Sequence, residues 1–212
     1  MDPRPFVLDL ITTIAKAVNR ARYSIFSVAG TYAVSLLVGI AMVHTGSEFA
    51  LNYREQLITQ ALQQNPASLA YNQGDNLQAA LWDFAGNLVL GAVPQTISGF
   101  AIIFPYPLIA QQGWVAGIVS VRGDHTSRLN DPRSAVYYLL TLLLQLLPYS
   151  LAIGAGVNVG VALFRTPPYY QGQKWLGLFP KEALHDVARI YAIVIPLFLV
   201  ASLWEFLSPW NF

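Results

Sequence analysis

The sequence predicts an all-α fold, a polytopic bundle of about five transmembrane helices with kinked or broken third and fourth helices. Several apolar stretches are longer than a soluble core needs. The clearest is 187–207, whose only charged residues are Arg189 and Glu205. The chain of 212 residues is 55% hydrophobic and 11% charged, whereas soluble domains carry about 25% charged residues. A low fraction of charged residues over the whole chain is typical of a protein that is surrounded mainly by lipid.

The N-terminal segment, residues 6–22, has apolar residues at helical spacing and charged residues such as Lys16 and Arg20 between them. A basic amphipathic helix just before a span is typical of the membrane interface. We therefore expect an interfacial helix over 1–23 and a single transmembrane domain over 24–212. A helix packed on the other spans is the alternative. The charges in this first apolar stretch also argue against a cleaved signal peptide.

The first span is predicted at 24–44, and the polar segment 45–76 follows it outside the membrane. A helix is expected near 47–64, and the tail of the segment, rich in Asn, Gln and Gly, is predicted as loop. This is the only region large enough to form a small extramembrane structure.

A tight turn at Pro94 is expected to separate the second and third spans, predicted at 77–93 and 95–121. Pro105 and Pro107 are expected to kink or break the third span, because proline lacks the amide proton that a helix interior needs. The sequence leaves open whether this whole region crosses the membrane once or twice.

The fourth span is predicted within 134–164, where Pro148 favours a kinked or two-part helix. A polar loop over 122–133 precedes it. A second loop, over 165–184, follows it and leads into the fifth span, which ends at Leu207.

Orientation follows from the Lys and Arg residues beside the spans, which favour the cytoplasmic side. The N-terminal segment is basic, whereas 45–76 contains only Arg54. Five crossings place the basic loop at 165–186 on the N-terminal side, so we expect a cytoplasmic N-terminus. The loop at 122–133, which also carries arginines, then lies outside, against the rule.

Small and polar residues recur every four positions in the predicted spans. Such residues let helix backbones approach closely, so helix-packing seams are the first interpretation, and the lining of a polar pathway is the second. The seams are Ser27, Thr31, Ser35 and Gly39 in the first span, Gly113 and Gly117 in the third, and Ala152, Gly156 and Gly160 in the fourth.

Asp83 and Asn87 lie one helical turn apart within the second span. An ionisable group within a span costs about 2.5–3.5 kcal/mol on insertion scales, so it seldom faces lipid. The pair is a candidate polar or ion site. The alternative is that Asp83 lies near the interface beside Trp82, and Glu205 has the same ambiguity next to Trp204.

The chain carries little that indicates catalysis. It has no cysteine, and His44, His125 and His185 lie at predicted span ends or in a loop. There is no HExxH motif and no glycine-rich phosphate loop, and Ser98 has no base nearby in a span to activate it. We expect no enzyme activity, no cofactor and no metal site. The net charge of +1 argues against a nucleic-acid partner.

Three segments, taken in order, resemble the stage II sporulation protein M family of bacterial membrane proteins. QGWVAG, residues 112–117, is similar to the family's NG-xxx-G pattern, and residues 146–163 are similar to its LPHG-…-AGG-x-GLxLG segment. Residues 188–209 are similar to its closing span, in which an acidic residue comes shortly before Thr/Ser-Pro. The family's His-Gly is Tyr149–Ser150 here, and the glutamate that usually follows is absent.

This resemblance covers roughly residues 77–209. It implies a bacterial inner-membrane protein, and members in spore formers are parts of an engulfment assembly with peptidoglycan-remodelling partners. If the missing His and Glu carry a shared chemistry, this chain has lost it and keeps the packing skeleton.

Two functions follow as hypotheses. The leading one is a non-enzymatic scaffold or accessory subunit of a larger bacterial membrane complex, in contact with lipid and with other membrane protein subunits or further copies of itself. The alternative is a small transporter or channel subunit with a polar site around Asp83 and Asn87, since broken helices at membrane depth often form such sites.

Overall fold

The computed structural model describes residues 4–210 of the chain, with side chains from Leu8 onward. The described part is helical apart from one short antiparallel strand pair and an isolated bridge, so the predicted all-α class is confirmed. Its helices are α1 (Arg4–His44), α2 (Glu48–Gln64), α3 (Pro66–Asn72), α4 (Asn76–Ala85), α5 (Val93–Gly99), α6 (Pro105–Ile118), α7 (Pro132–Phe164) and α8 (Lys181–Leu207).

Three helices are long and apolar enough to cross a membrane: α1 over Leu8–His44, α7 and α8. They pack around the main buried apolar cluster, in which Ile153, Ile190 and Phe198 are fully buried. A multi-pass membrane protein is consistent with these three helices.

α1 is a single helix of 41 residues, about 60 Å long at 1.5 Å per residue. It continues without a break through residue 23, so the amphipathic segment is the first half of α1. Ala17 and Ala21 are buried against the bundle, while Leu8 and Ile11 are exposed. The placement of this segment in a membrane interface stays a prediction.

The predicted turn at Pro94 is wrong. Between α4 and α5 the chain forms a π-helical stretch, Gly86–Ala92, so residues 76–99 make one continuous helix, called the central rod below. Proline within a helix lacks an amide donor and its ring crowds the preceding turn. The wider π turn just before it, in which the Val93 N–H bonds to the Leu88 carbonyl, opens the helix at this point.

The break in the third predicted span lies at residues 100–104, between α5 and α6. Ile102 there has a φ of 59°, which is rare for a β-branched residue. Pro105 and Pro107 fall in the first turn of α6, where the amide has no intrahelical acceptor in any case. The prediction that the third span is interrupted near these prolines is confirmed.

α7 continues through Pro148 as one helix of 33 residues. Of the two predicted forms, the two-part fourth helix is therefore wrong, and the kink at Pro148 stays a prediction. A proline removes one intrahelical hydrogen bond, and packing on neighbouring helices can hold such a helix together. Pro148 is buried in these contacts. α8 likewise continues through Pro196.

α2 confirms the helix predicted in the polar segment 45–76, and Ser47 caps its N-terminus. The tail of this segment, predicted as loop, contains α3. Asn65 caps α3, since its side chain accepts a hydrogen bond from the Ala67 N–H at 2.8 Å. Pro66 suits the first position of a helix, where no amide proton is needed.

The loop after α7 carries the short strand pair, β1 (Lys174–Trp175) and β2 (Phe179–Pro180). α8 then begins at Lys181, earlier than the predicted start of the fifth span at Val187. Its first two turns are polar and were therefore assigned to the loop from hydropathy alone.

Contacts between side chains fix the relative directions of α1 and α6. The Ser27 and Tyr106 hydroxyls are hydrogen-bonded at 2.9 Å near one end of the pair, and Gly39 lies against Gly117 towards the other. Residue numbers rise together along both helices, so α1 and α6 run parallel.

The central rod runs in the opposite direction to α8. Asp83, near the start of the rod, bonds to Ser202 near the end of α8, and Thr96, near the end of the rod, bonds to Tyr191. α7 is also antiparallel to α8, as the contacts from its first turns to the last turns of α8 require. The rod and α7 are therefore parallel.

Candidate functional site

A cavity of about 720 Å³ lies between the central rod, α6, α7 and α8. It follows α7 from Tyr137 to Tyr149, a rise of about 18 Å. The loop before α7 contributes Arg128 to its wall, and α8 contributes Glu205. Its other polar lining includes four glutamines, Gln95, Gln111, Gln112 and Gln145, and four tyrosines, Tyr32, Tyr137, Tyr138 and Tyr149.

α7 builds one wall of this cavity because its lining residues repeat with the helical period. Tyr138, Leu142, Gln145 and Tyr149 are spaced by four, three and four positions, which places them on one face of the helix. Tyr138 is held in place by donating a hydrogen bond of 2.6 Å to the Ala116 carbonyl of α6.

Asp83 and Asn87 form the start of a hydrogen-bonded network beside the cavity. The Asn87 Nδ2 donates to Asp83 Oδ2 at 2.8 Å, and the Ser202 hydroxyl donates to the same oxygen at 2.7 Å. Tyr149 in turn donates to Asn87 Oδ1 at 2.9 Å. The predicted pair is thus joined by a hydrogen bond and linked to both α7 and α8. Whether it binds an ion stays a prediction.

Glu205 places a second carboxylate in the same region. It lies three residues after Ser202, so both face the same side of α8. Gln145 Nε2 donates to Glu205 Oε2 at 2.7 Å, and the Tyr137 hydroxyl donates to the Glu205 backbone carbonyl at 2.7 Å. The cavity wall therefore carries a hydrogen-bonded carboxyl group towards the C-terminal end of α8.

Three buried polar atoms on the cavity wall have no hydrogen-bond partner within the described part of the chain: Gln95 Oε1, Gln112 Oε1 and Arg128 Nε. Gln95 is only 7% exposed. A buried acceptor without a donor costs about 1–3 kcal/mol. The wall thus presents polar atoms that water or a bound molecule in the cavity could satisfy.

Arg128 is a half-buried cation in the loop between α6 and α7. Burial, and then the positive charges of Arg54 and Arg122, lower its pKa from the ordinary value for arginine. It takes part in no ion pair with any residue in the described range. Its backbone N–H is fixed by the Ser120 carbonyl at 2.8 Å.

The predicted seam in α7 packs against the central rod. A Cβ on Gly160 would come within 2.7 Å of the Gly99 carbonyl oxygen, and one on Gly156 would clash with the backbone of Thr96. Ala152 is fully buried on the same helix. These contacts are all within one chain, so this seam does not need a partner protein.

The predicted seam in α1 packs against α6 in the same way. A side chain on Gly39 would clash with the α6 backbone, and one on Gly117 with the α1 backbone. The remaining members are Gly113, in close contact with the Tyr32 backbone, Ser27, bonded to Tyr106, Thr31, which donates to the Ser27 carbonyl of its own helix, and Ser35, which is half-buried.

A second polar cluster, called the ionic cluster below, lies at the opposite end of the bundle. Asp186 is 1% exposed and accepts hydrogen bonds from Arg20 at 2.6 Å, from Arg189 at 2.8 Å and from the Tyr170 hydroxyl at 2.8 Å. Asn158 donates to that hydroxyl at 2.8 Å. Each of these groups has at least one partner within the cluster, and Arg20 Nε is the one buried side-chain atom there without a partner among the described residues.

Sequence reasoning singled out Asp83 and Asn87 and noted Glu205, but it missed the glutamines and Arg128. Uncharged glutamines at 95, 112 and 145 within otherwise apolar stretches were the available signal. Arg128 gave no such signal, because it lies in a loop and only the fold brings it to the cavity.

Among residues 8–210, no three His, Asp or Glu side chains come together in a group that could hold a metal ion. Comparison with known proteins adds no assignment, since no family model, curated protein or solved structure matches this chain. The geometry of the cavity is therefore the basis for any statement about function.

Proposed function

We propose that this protein is a small transporter or channel subunit that binds a polar solute in the cavity of its helix bundle. The observation that carries the proposal is the set of unpartnered buried atoms at Gln95, Gln112 and Arg128. Buried polar groups are normally hydrogen-bonded. Their convergence on one cavity of about 720 Å³ is typical of a small-molecule site, where a few polar groups fix the orientation of the ligand.

The helix directions support a bundle that crosses the membrane five times, through α1, the central rod, α6, α7 and α8. Parallel packing of α1 on α6 requires the chain to return between them, and the central rod, at residues 76–99, supplies that return. The cavity then reaches from the side of segment 45–76 towards mid-membrane. The broken passage between α5 and α6 fits the discontinuous helices seen around transporter sites.

The scaffold hypothesis draws less support from the geometry. Its main argument was that the spans are rich in small residues, which could pack against a partner protein. Helices of the same chain already pack against four of these small residues: Gly39, Gly117, Gly156 and Gly160. A relation to the stage II sporulation protein M family stays a hypothesis. The segments that carry the resemblance lie in α6, α7 and α8, around the cavity and its packing seams.

Topology is tested by single cysteines, since the chain has none of its own. Cysteines replacing the exposed Gln64 and Asp124 should react with a membrane-impermeant maleimide from one side of sealed cells. A cysteine replacing Lys174 should react only from the other side. Labelling of positions 64 and 124 from opposite sides would overturn the five-crossing arrangement.

The cavity is tested with the variants Gln112→Cys and Gln95→Cys and a small water-soluble reagent, 2-aminoethyl methanethiosulfonate. We expect Gln112→Cys, and more slowly Gln95→Cys, to react in the folded protein. The control is Val159→Cys, which is fully buried and outside the cavity. No reaction at either glutamine position would overturn the proposal, and reaction without solute flux in liposomes would favour the scaffold.

A further inference from the structure

We propose that a polar pocket beside the ionic cluster binds the phosphate of an anionic phospholipid headgroup. The pocket, called the headgroup pocket below, measures about 620 Å³ and lies between α1, the end of α7 and the break between α5 and α6. Two arginines line it, Arg20 and Arg165, and no carboxylate does so among the described residues. It shares no lining residue with the cavity of the proposed function. The inference is therefore independent of whether that cavity binds a solute.

Arg165 gives the headgroup pocket a positive charge that the protein does not neutralise. It directly follows α7, and its backbone N–H is held by the Val161 carbonyl at 2.9 Å. Its side chain is exposed and takes part in no ion pair with any residue that the structure describes. A guanidinium holds phosphate oxygens through two parallel hydrogen bonds. Arg165 is thus available to a phosphate in the pocket.

The ion pairs behind the headgroup pocket do not cancel this charge. The Arg20 guanidinium bonds to Asp186 at 2.6 Å and lies 3.4 Å from Glu182. Arg189 is paired with the same two carboxylates, so two cations face two anions. Arg20 Nε has no partner among the described residues. The charge of Arg165 therefore remains in excess, and one donor of Arg20 remains unused.

Hydroxyl groups complete the polar lining of the headgroup pocket. Tyr23 and Ser24 line it side by side. The Tyr23 hydroxyl accepts a hydrogen bond from Arg22 at 3.0 Å, which leaves its own proton to donate. The Arg22 guanidinium also lies 4.8 Å from the centre of the Tyr23 ring. A third cation is thus fixed at the rim, where it adds to the attraction for an anion.

The surroundings of the headgroup pocket favour a lipid over a soluble phosphate. Phe164 precedes Arg165 and is 83% exposed, and Ile103 follows the lining residue Ile102 and is 74% exposed. Cationic and apolar groups meet in this way where headgroups join acyl chains. In the five-crossing arrangement this end of the bundle lies on the side of the N-terminus, which is predicted to be cytoplasmic. Basic pockets between spans on that side suit anionic headgroups.

The test measures lipid binding to the purified full-length protein, delipidated in an uncharged detergent, by native mass spectrometry. The probes are phosphatidylglycerol and phosphatidylcholine with the same acyl chains, and glycerol phosphate as a headgroup without chains. We expect phosphatidylglycerol to bind about tenfold more tightly than phosphatidylcholine, the difference that 1.4 kcal/mol produces. Arg165→Gln should remove most of this preference. Arg165→Lys should retain part of it, because the charge remains but the paired hydrogen bonds are lost.

The matched control is Arg133→Gln. It removes an exposed arginine at the other end of α7 that does not line the headgroup pocket, so the preference should be unchanged. Unfolding midpoints in detergent are measured on every variant. Because the Arg165 side chain is exposed, Arg165→Gln should unfold at the wild-type midpoint, which separates loss of the site from misfolding.

The position of the bound lipid is tested by protection of an introduced cysteine. In the Ser24→Cys protein, phosphatidylglycerol should remove most of the reactivity towards a maleimide, and phosphatidylcholine at the same concentration should protect less. The Gln64→Cys protein is the control, since Gln64 is exposed in segment 45–76 and does not line the headgroup pocket. Neither lipid should protect it selectively.

Three results would overturn the proposal. Equal affinity for the two lipids, or a preference that Arg165→Gln leaves intact, would reduce the attraction to a diffuse effect of surface charge. Unprotected Ser24→Cys protein would place the lipid elsewhere. Glycerol phosphate that binds as tightly as phosphatidylglycerol would make this a site for soluble anions. None of these results changes the reactivity of the Gln112→Cys protein, so the proposed function is judged separately.

Discussion

The two polar regions of this bundle differ in how their charged groups are partnered. In the ionic cluster, buried Asp186 is surrounded by Arg20, Arg189 and Tyr170, all at hydrogen-bond distance. In the cavity, Arg128 and the amide oxygens of Gln95 and Gln112 have no partner within the described residues. Both regions are polar, but the carboxylate and the hydroxyl of the ionic cluster are partnered and Arg20 Nε is its one buried side-chain atom without a partner among the described residues. The cavity wall has three such atoms.

This difference separates a structural role from a binding role. A buried, hydrogen-bonded ion pair holds the side chains that form it in fixed positions. Removing one member leaves the remaining buried charges uncompensated. Unpartnered polar groups on a cavity wall add no hydrogen-bond energy to the folded protein by themselves. Their hydrogen bonds are completed by water or by a ligand. Under the proposed function, the cavity trades some stability of the folded protein for solute binding.

The largest effect is expected from Asp186→Leu in the ionic cluster. The substitution leaves two arginines and the Tyr170 hydroxyl without their shared acceptor. Loss of one partner of a buried ion pair costs about 3–5 kcal/mol, so we expect a strongly lowered unfolding midpoint in detergent. The control is His185→Ala on the adjacent position, since the His185 side chain is 64% exposed and its loss should change little. A normal midpoint for Asp186→Leu would remove the contrast between the two regions.

Asp83 should give an intermediate effect. In Asp83→Leu, Ser202 and Asn87 lose their acceptor, and an unsatisfied buried group costs about 1–3 kcal/mol. Asp83→Asn keeps an acceptor oxygen, so we expect it to fold nearly as well as the wild type. Unfolding midpoints in detergent and solute flux in liposomes are measured on both variants.

The comparison of these two variants decides whether the charge of Asp83 is structural, like that of Asp186, or is needed for transport. Equal destabilisation by Asn and Leu would place Asp83 with Asp186 as a structural charge. A stable Asp83→Asn protein that no longer transports solute would make the charge itself a working part of the site, as an ion-coupled mechanism requires.

The sequence predicted the helical class and the Asp83–Asn87 pair, because both depend on local spacing. It did not predict the central rod, since Pro94 reads as a turn when the π-helical stretch before it is unknown. The tertiary contacts of the cavity also could not be predicted from the sequence. Nothing in the sequence brings Gln95, Arg128 and Glu205 to the wall of one cavity, because these residues are far apart along the chain.

Replacing a cavity glutamine should have a smaller effect, and for Gln112 the substitution should stabilise the folded protein. Gln112→Leu removes a buried oxygen without a partner, so we expect it to stabilise the folded protein by about 1 kcal/mol and to weaken ligand binding. Gln145→Leu is the matched control in the same cavity. Because Gln145 donates to Glu205 at 2.7 Å, its loss should destabilise. Opposite shifts of the two unfolding midpoints would sharpen the distinction between partnered and unpartnered groups, and destabilisation by both would contradict it.

The smallest effect is expected at Asp131, which caps the N-terminus of α7. Hydrogen bonds from the Ser134 N–H and side chain lower its pKa, so the folded protein binds this proton less readily than the unfolded chain does. The cap therefore stabilises the protein above the ordinary Asp pKa, and this contribution is lost as the pH falls through the lowered value, below about pH 4. Asp131→Asn keeps a capping oxygen and should remove only this acid-dependent component of the unfolding midpoint.

The same variant tests whether Arg128 lacks a counter-ion in its own loop. With Asp131 engaged by the start of α7, Asp131→Asn should leave the rate at which cationic 2-aminoethyl methanethiosulfonate modifies the Gln112→Cys protein unchanged at neutral pH. If the rate falls markedly instead, Asp131 was neutralising Arg128, whose unmasked positive charge then repels the cationic reagent. Arg128 would then belong with the partnered charges of the ionic cluster, and the contrast between the two ends of the bundle would rest on the glutamines alone.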